Sequence, residues 1–277
     1  MPRRFQPKTM MRPRHARLKS AGLLLCAALG LALMLPAGQK KSPARPKPDL
    51  KTKPAETAVP FLAGERLDYR VLWSSFSVNA ATVRLTVTER RPFYGREAWH
   101  FQGVAHTVDA MRLLFALDDQ FDSYSNPAEL MSLQYEMHLN EQGKKEDAVL
   151  RMTSDADPAP GGGSAVRVLP GTRDPLGLLY YLRAVDWQSN AEAQCPVFDG
   201  HKLYEVKARL GLERGQVSVA AGRYAASRID LRVYERGSEL GQTRFSVWLA
   251  HDPHRTPILF EAEVPLGTAR VELVRAE

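Results

Sequence analysis

Apolar and polar residues alternate with a period of two along most of the chain after residue 61. Segment 66–73 shows the pattern in side chains that share one face of an extended backbone: Leu67, Tyr69, Val71 and Trp73. The same alternation returns in three further segments, 79–90, 96–106 and 129–139. A strand with one apolar and one polar face belongs to a sheet covered on one side only, and such sheets are typically antiparallel.

The second half of the chain continues in this style. Strand-like runs are predicted at 202–213, 216–220, 223–235, 241–250, 257–264 and 268–275. Short turns separate them, such as Arg-Gly-Gln at 214–216, and Asp199-Gly200 is a strong hairpin signal. Parallel pairing needs longer crossovers than these, so the spacing predicts consecutive hairpins.

Two helices interrupt the strands. Residues 173–187 have Asp174 in place as N-cap and Pro175 as the first helical residue, and the apolar residues that follow surround most of the helix. Residues 109–115 predict a shorter helix with Thr107 as its cap. The fold class is therefore all-β and antiparallel, with one or two short helices.

The N-terminal region has a different composition. Basic residues precede an apolar run from Ala21 to Ala37, which is the pattern of a secretory signal or an uncleaved membrane anchor. Residues 38–60 are rich in proline and lysine and predict an extended linker. This division gives a signal or anchor at 1–37, a linker at 38–60 and a single antiparallel β domain at 61–277. The protein is then periplasmic or otherwise exported, and tethered to the inner membrane if the segment is not cleaved.

The net charge of +7 comes from this N-terminal region. Residues 1–44 hold nine basic residues and no acid, which leaves 29 basic against 31 acidic residues, a net charge of about −2. The basic patch that nucleic-acid binding needs is not seen in the rest of the chain. Beyond residue 44 Cys195 is the only cysteine, so the β domain depends on its core and not on an internal disulfide.

The most polar stretch is LDDQFDSYSN at 117–126. On a strand, Asp118 and Asp122 share one face, while Asp119 and Ser123 lie on the other with Phe121. An EF-hand calcium loop fits poorly, because its sixth position is serine here. Two interpretations stay open: a catalytic carboxylate pair, or a strand with a polar face that ends in a turn.

A second candidate is CPVFDGHKLYEV at 195–206. It is explained either by a hairpin turn at Asp-Gly or by a pocket mouth formed by four residues: Asp199, His201, Lys202 and Tyr204. The pair His251 and His254 lacks a third ligand at a recognisable spacing, so no metal site and no cofactor are predicted.

Six pieces of the chain, in this order, resemble a family of exported bacterial proteins, domain of unknown function 3108. They are FLAGERLDYRVLW from residue 61, DDQFDSY from 118, DPLGLLYYLR from 174, PVFDGHKLYEV from 196, AAGRYAASRI from 220 and VWLAHDPHRTPILFEAEVPLGTARVEL from 247. The resemblance implies a strongly curved sheet that forms a barrel-like or half-barrel sandwich. It implies no activity and no catalytic residue.

Two functions follow from different classes. The first is a non-enzymatic barrel-like module that binds a lipid, another amphiphile or an envelope protein, with membrane contact only through the N-terminal segment. Its candidate ligand-binding residues are Asp118, Asp119, Ser123, Asp199, His201, Lys202 and Tyr204. The alternative is an envelope glycan hydrolase that uses Asp118, Asp119 and His201. Since recognised catalytic motifs are missing, binding ranks first.

Overall fold

The computed structural model describes residues 59–74, 78–154, 165–241, 243–264 and 267–277; the predicted signal or anchor and nearly all of the predicted linker lie outside them. The two helices are α1 (Asp109–Leu114) and α2 (Pro175–Ala184). The strands are β1 (Arg66–Trp73), β2 (Val78–Phe93), β3 (Arg96–Thr107), β4 (Asp118–Ser125), β5 (Ser132–Glu141), β6 (Lys144–Thr153), β7 (Ala165–Arg167), β8 (Glu192–Phe198), β9 (Leu203–Val219), β10 (Gly222–Glu235), β11 (Ser238–Glu239), β12 (Arg244–Ala250), β13 (Pro257–Val264) and β14 (Gly267–Ala276).

All fourteen strands belong to one sheet. Its order is β7-β6-β5-β4-β3-β2-β1-β14-β13-β12-β10-β9-β8, and β11 pairs with β10 outside this path. Neighbouring strands are antiparallel except β6 and β7, which are parallel. The predicted fold class is confirmed, because hairpins build the sheet almost entirely from neighbours in sequence.

Alternation and bulges explain how the sheet bends. On β1, Leu67, Tyr69 and Val71 are buried on the inner face. Register shifts interrupt several pairs, including Val87/Glu89 on β2 and Ser227/Ile229 on β10. A bulge bends its strand and raises the local twist, so repeated bulges let a long sheet curl.

Helix α2 lies inside the curl. It packs against β3, β4 and β8, and its leucines also line a cleft with β10, β12 and β13. Strands β4 and β12 are six steps apart in the sheet, which is about 29 Å if the sheet were flat. A helix about 10 Å wide touches both only because the sheet wraps around it.

Thr172 and Arg173, just before α2, connect β5 with β8 across the open side of the curled sheet. The Ser132 N–H at the start of β5 donates to Thr172 O. On the other side, Arg173 exchanges two hydrogen bonds with β8: its N–H donates to Pro196 O, and its carbonyl accepts from Phe198 N–H. Nearby, Gly200 approaches β5 so closely that a Cβ would lie 2.5 Å from the Met137 methyl carbon. Its φ of +101° also favours glycine, so the β8–β9 turn depends on this residue in two ways.

Two local predictions are wrong. Thr107 does not cap α1: the N-cap position is Val108, and the Thr107 hydroxyl accepts a hydrogen bond from Leu117 N–H. The turn expected at 214–216 is a continuous part of β9, where the register shift opposite Ser227 absorbs the extra residues. Glycine in a strand marks a bulge as well as a turn, and here the bulge formed.

Candidate functional site

The candidate site is an apolar cleft between α2 and the facing wall of the sheet. The enclosed space in it is about 20 Å³, and the wider figure of about 330 Å³ includes the solvent at its open mouth. The helix contributes Leu178, Leu179 and Leu182, and the wall contributes apolar side chains of three strands, among them Leu231, Phe245 and Phe260. Lining of this kind suits hydrocarbon, because few groups in it need a hydrogen-bonding partner.

The N-terminus of α2 is fixed by a buried carboxylate. Asp174 accepts hydrogen bonds from Gly177 N–H at 2.8 Å and from the hydroxyls of Ser123 and Ser132 at 2.5 Å each. Burial raises the pKa of Asp174, although these hydrogen bonds act in the opposite direction. Ser123, predicted as a ligand-binding residue, therefore has a structural partner.

The C-terminus of α2 is fixed by a buried cation. Arg183 is fully buried and forms two hydrogen bonds to Glu65, at 2.6 and 2.7 Å, and a third to His254 O at 2.9 Å. Arg255 donates to the carbonyls of Arg183, Ala184 and Val185. Carbonyls at the C-terminal end of a helix have no N–H partner within the helix, and Arg255 supplies one from outside. The helix that lines the cleft is thus held at both ends.

The aspartates of β4 divide between two faces as alternation predicts. Asp118 lies on the outer face, where both oxygens accept hydrogen bonds from Arg112 and one also contacts His106 at 2.9 Å. The Arg112 guanidinium lowers the pKa of Asp118 to about 2. Asp118 and Asp119 point to opposite sides of the sheet, which gives the pair no common cleft.

The outer face also carries a buried polar network that the sequence did not reveal. Asp122 contacts His100 Nε2 at 2.7 Å and accepts hydrogen bonds from Gln120 and Gln102. The His100 ring stacks on Tyr124 with centroids 4.6 Å apart. These residues come from separate strands, so their contact depends on the β3–β4 register, which sequence spacing does not encode.

Asp119 is a carboxyl buried on the inner face, 1% exposed. Its Oδ1 accepts from Asn140 N–H at 2.9 Å, whereas Oδ2 has no hydrogen-bond partner among the residues described. Burial, followed by the nearby Glu141 and Asp118 charges, raises the pKa of Asp119 to about 6. Asp119 is therefore the most perturbed carboxyl of the predicted set.

Asp119→Asn is expected to stabilise the fold at about pH 8 by up to roughly 3 kcal/mol, the equivalent of its pKa shift. The folded protein binds this proton more tightly than the unfolded chain, so stability falls as pH rises from the ordinary 3.8 to about 6. Asparagine keeps the acceptor for Asn140 N–H without the charge. Urea unfolding at pH 8 and at pH 4 measures the effect.

The gain should shrink at pH 4, where the wild-type carboxyl is already neutral. Asp118→Asn is the matched control with the opposite sign, since the lowered pKa of Asp118 means that its charge stabilises the fold above that range. A loss of stability for Asp119→Asn at pH 8, or a gain that does not depend on pH, would contradict the assignment.

The second predicted cluster is organised by its turn. Asp199 accepts hydrogen bonds from the N–H groups of His201 and Lys202 at 2.8 and 2.6 Å. His201 is exposed at the β8–β9 turn, Lys202 pairs with Glu235 at 3.1 Å, and Tyr204 is buried on β9. Asp199 is thus occupied by backbone contacts of the hairpin.

Other candidates for chemistry have ordinary partners. His251 contacts the Ser227 hydroxyl at 2.8 Å, and His254 lies 3.3 Å from Pro60 O. Burial raises the pKa of the Cys195 thiol, which lowers its reactivity. Among the described residues no cluster of three or more His, Cys, Asp or Glu is placed to hold a metal ion. The same part of the chain contains no helix long and apolar enough to cross a membrane.

A curved antiparallel sheet wrapped around a pinned helix defines a β-barrel-like protein with an internal apolar cleft. The chain belongs to the family described as Protein of unknown function (DUF3108), whose model matches residues 68–274. This confirms the family to which the sequence pieces pointed. No curated protein matches the chain significantly.

One solved structure supports the architecture, and a second matches the chain with a lower TM-score. A β-barrel-like protein of domain of unknown function DUF1849 from Brucella abortus has 11% sequence identity and a TM-score of 0.50, over 79% of this chain and 99% of that one. A candidate lipoprotein from Parabacteroides distasonis has 8% identity and a TM-score of 0.37, over 80% of this chain and 100% of its own. At 11% identity, the Brucella abortus structure supports the fold alone.

Proposed function

We propose that this protein is an exported binding module that holds one apolar chain of an amphiphile in the cleft between α2 and the sheet. The observation that carries the proposal is the apolar lining of that cleft, which the helix and three strands supply together. Its enclosed space is only about 20 Å³, roughly the room of one water molecule, so side chains of the helix or the wall must move aside to admit a ligand. A single hydrocarbon chain suits it better than a bulky ring system.

The charges at the ends of α2 support an apolar ligand. Asp174 and Arg183 are buried near the cleft, but their hydrogen bonds go to serines, to Glu65 and to backbone groups. A charged ligand group entering the cleft would lose its hydration without gaining these partners. We therefore place the polar head of the amphiphile at the mouth and its chain inside.

The geometry favours binding over glycan hydrolysis. A hydrolase needs two carboxyl groups that face one sugar from opposite sides. Asp118 is held by Arg112 on the outer face, and Asp119 lies on the inner face. His201 lies at the exposed β8–β9 turn, and it is not among the hydrogen-bond partners described for Asp118 or Asp119. The basic and apolar N-terminal segment supports export, where amphiphiles of the envelope are available.

Leu231→Trp tests the proposal. Leu231 lies on β10 at the cleft and is only half-buried, so a larger side chain there fills the cleft without disturbing the tightest core. Binding of parinaric acid, a fluorescent fatty acid, is expected to weaken by about tenfold or more, a loss of roughly 1.4 kcal/mol. Fluorescence titration and displacement by saturated fatty acids measure it.

Arg232→Trp is the matched control, since residue 232 is exposed next to Leu231 on the same strand. Its affinity should stay close to that of the wild type. Equal binding by both variants, or the absence of saturable binding by the wild type, would contradict a ligand site in the cleft.

A further inference from the structure

Two adjacent leucines project from the rim of the sheet. Leu113 is 89% exposed and Leu114 is 71% exposed, both on α1 between β3 and β4. Single exposed leucines are normal on protein surfaces, and Leu212 on β9 is one. A neighbouring pair on one projecting turn is different, because it presents a continuous apolar tip.

Hydrogen bonds and packing hold the residues on both sides of this tip against the sheet. Arg112, which precedes the leucines in the chain, forms two hydrogen bonds to Asp118, at 2.8 and 2.6 Å. Phe115, which follows them, packs against the core. The backbone behind them is tied to the β5–β6 turn, where Gln142 N–H donates to Ala116 O at 2.8 Å. These contacts orient α1 so that its leucines face outward, and they give Asp118 a structural purpose.

The chain outside the described residues indicates what covers the tip. Residues 21–37 form an apolar run behind a basic segment, so the chain is delivered to a membrane and is anchored there unless it is cleaved. The first described residues enter the sheet beside Val87 of β2, where Gly64 N–H donates to Val87 O. Helix α1 lies near Ala80, toward the other end of that strand, where Val108 N–H donates to Ala80 O. Seven residues of strand separate the two points, about 23 Å.

The linker is long enough for this geometry. Residues 38–58 span at most about 70 Å when fully extended. The tether therefore permits the domain to turn its α1 end toward the same membrane that holds the N-terminal segment. The tip and the anchor would then contact one bilayer from a single chain.

We propose that Leu113 and Leu114 insert into the surface of the membrane that holds the N-terminal segment. Two leucines alone provide an affinity on the order of only millimolar, too weak to recruit a free domain. A tether supplies a local concentration of that order, so the same contact forms within one molecule. This adds a membrane contact to the one expected from the N-terminal segment, and it does not depend on the ligand proposed for the cleft.

The experiment uses the full chain with Cys26→Ser, reconstituted in vesicles of phosphatidylethanolamine and phosphatidylglycerol. Leu113→Cys is labelled with the environment-sensitive fluorophore NBD, while the native Cys195 is buried and does not compete. We expect a blue shift and quenching by lipids that carry a doxyl group on the acyl chain. Leu212→Cys, which replaces an equally exposed leucine on β9, is the matched control and should show neither.

Leu114→Ser in the labelled protein should reduce the quenching at position 113 severalfold, since it removes the one leucine that the labelled tip retains. Three outcomes would overturn the proposal. They are no quenching at position 113, equal quenching at positions 113 and 212, and a blue shift at 113 that persists without vesicles and grows with protein concentration. The last would assign the tip to contact between copies of the protein.

Discussion

Glu65→Ala is expected to lower the free energy of unfolding by about 3–5 kcal/mol, because it leaves a buried guanidinium without its carboxylate. Arg183 is 0% exposed at its side chain and Glu65 only 11%. The Arg183 guanidinium also lies over the aromatic rings of Phe61 and Tyr180, but these rings carry no negative charge that could replace the carboxylate. Urea unfolding followed by circular dichroism measures the loss.

Glu97→Ala is the control for this prediction. Glu97 pairs with Arg90 on the surface, at exposures of 51% and 36%, so its removal should cost less than about 1 kcal/mol. Replacing both members of the buried pair, in Glu65→Leu with Arg183→Met, should recover much of the stability lost in Glu65→Ala. A cost below about 1 kcal/mol for Glu65→Ala would mean that Arg183 does not depend on this partner.

Asp174→Ala is expected to cost about 2–4 kcal/mol. The substitution removes an N-cap, typically worth about 1 kcal/mol, and deprives the buried hydroxyls of Ser123 and Ser132 of their acceptor. The cleft should suffer too, since α2 supplies one of its walls. Thermal unfolding and the parinaric acid titration report the two effects separately.

Asp174→Asn separates the cap from the charge. Asparagine is an equally good cap and keeps an acceptor for Gly177 N–H, and burial already disfavours the charged carboxylate. We expect it to cost about 1 kcal/mol or less. If asparagine were as harmful as alanine, the charge itself would be required, and the hydrogen-bonding account of Asp174 would be wrong.

The sequence predicted the fold well where one local rule sufficed. Alternation placed β1 at residues 66–73 and put Asp118 and Asp119 on opposite faces, because side chains in a strand have a fixed period of two. Asp174 and Pro175 marked the start of α2 for an equally local reason. The errors at Thr107 and at 214–216 arose where tertiary pairing decided between two permitted local structures.

The contacts that organise the site were beyond sequence reasoning. Glu65 and Arg183 are 118 positions apart, and His100 meets Asp122 only because β3 and β4 pair in one particular register. The cleft likewise depends on strands that come together when the sheet curls. No periodicity reports such distances, so the charges looked like scattered surface residues.

The structure also gives several residues of the DPLGLLYYLR segment at 174–183 a defined role. Asp174 caps the helix and Arg183 fixes its other end. Gly177 lies between them where a Cβ would come within 2.8 Å of the Ser132 hydroxyl. The segment is a helix built to be buried, and its leucines are left to face the cleft.

The central claim is that the space between α2 and the sheet receives a hydrocarbon chain, and anomalous diffraction tests it most directly. Crystals of the protein grown with a fatty acid brominated at its terminal carbon would locate the chain end without reference to function. We predict a bromine peak between Leu179 and Phe245, inside the cleft. A bromine peak only on the outer face of the sheet, or a cleft that stays closed at saturating fatty acid, would contradict the account.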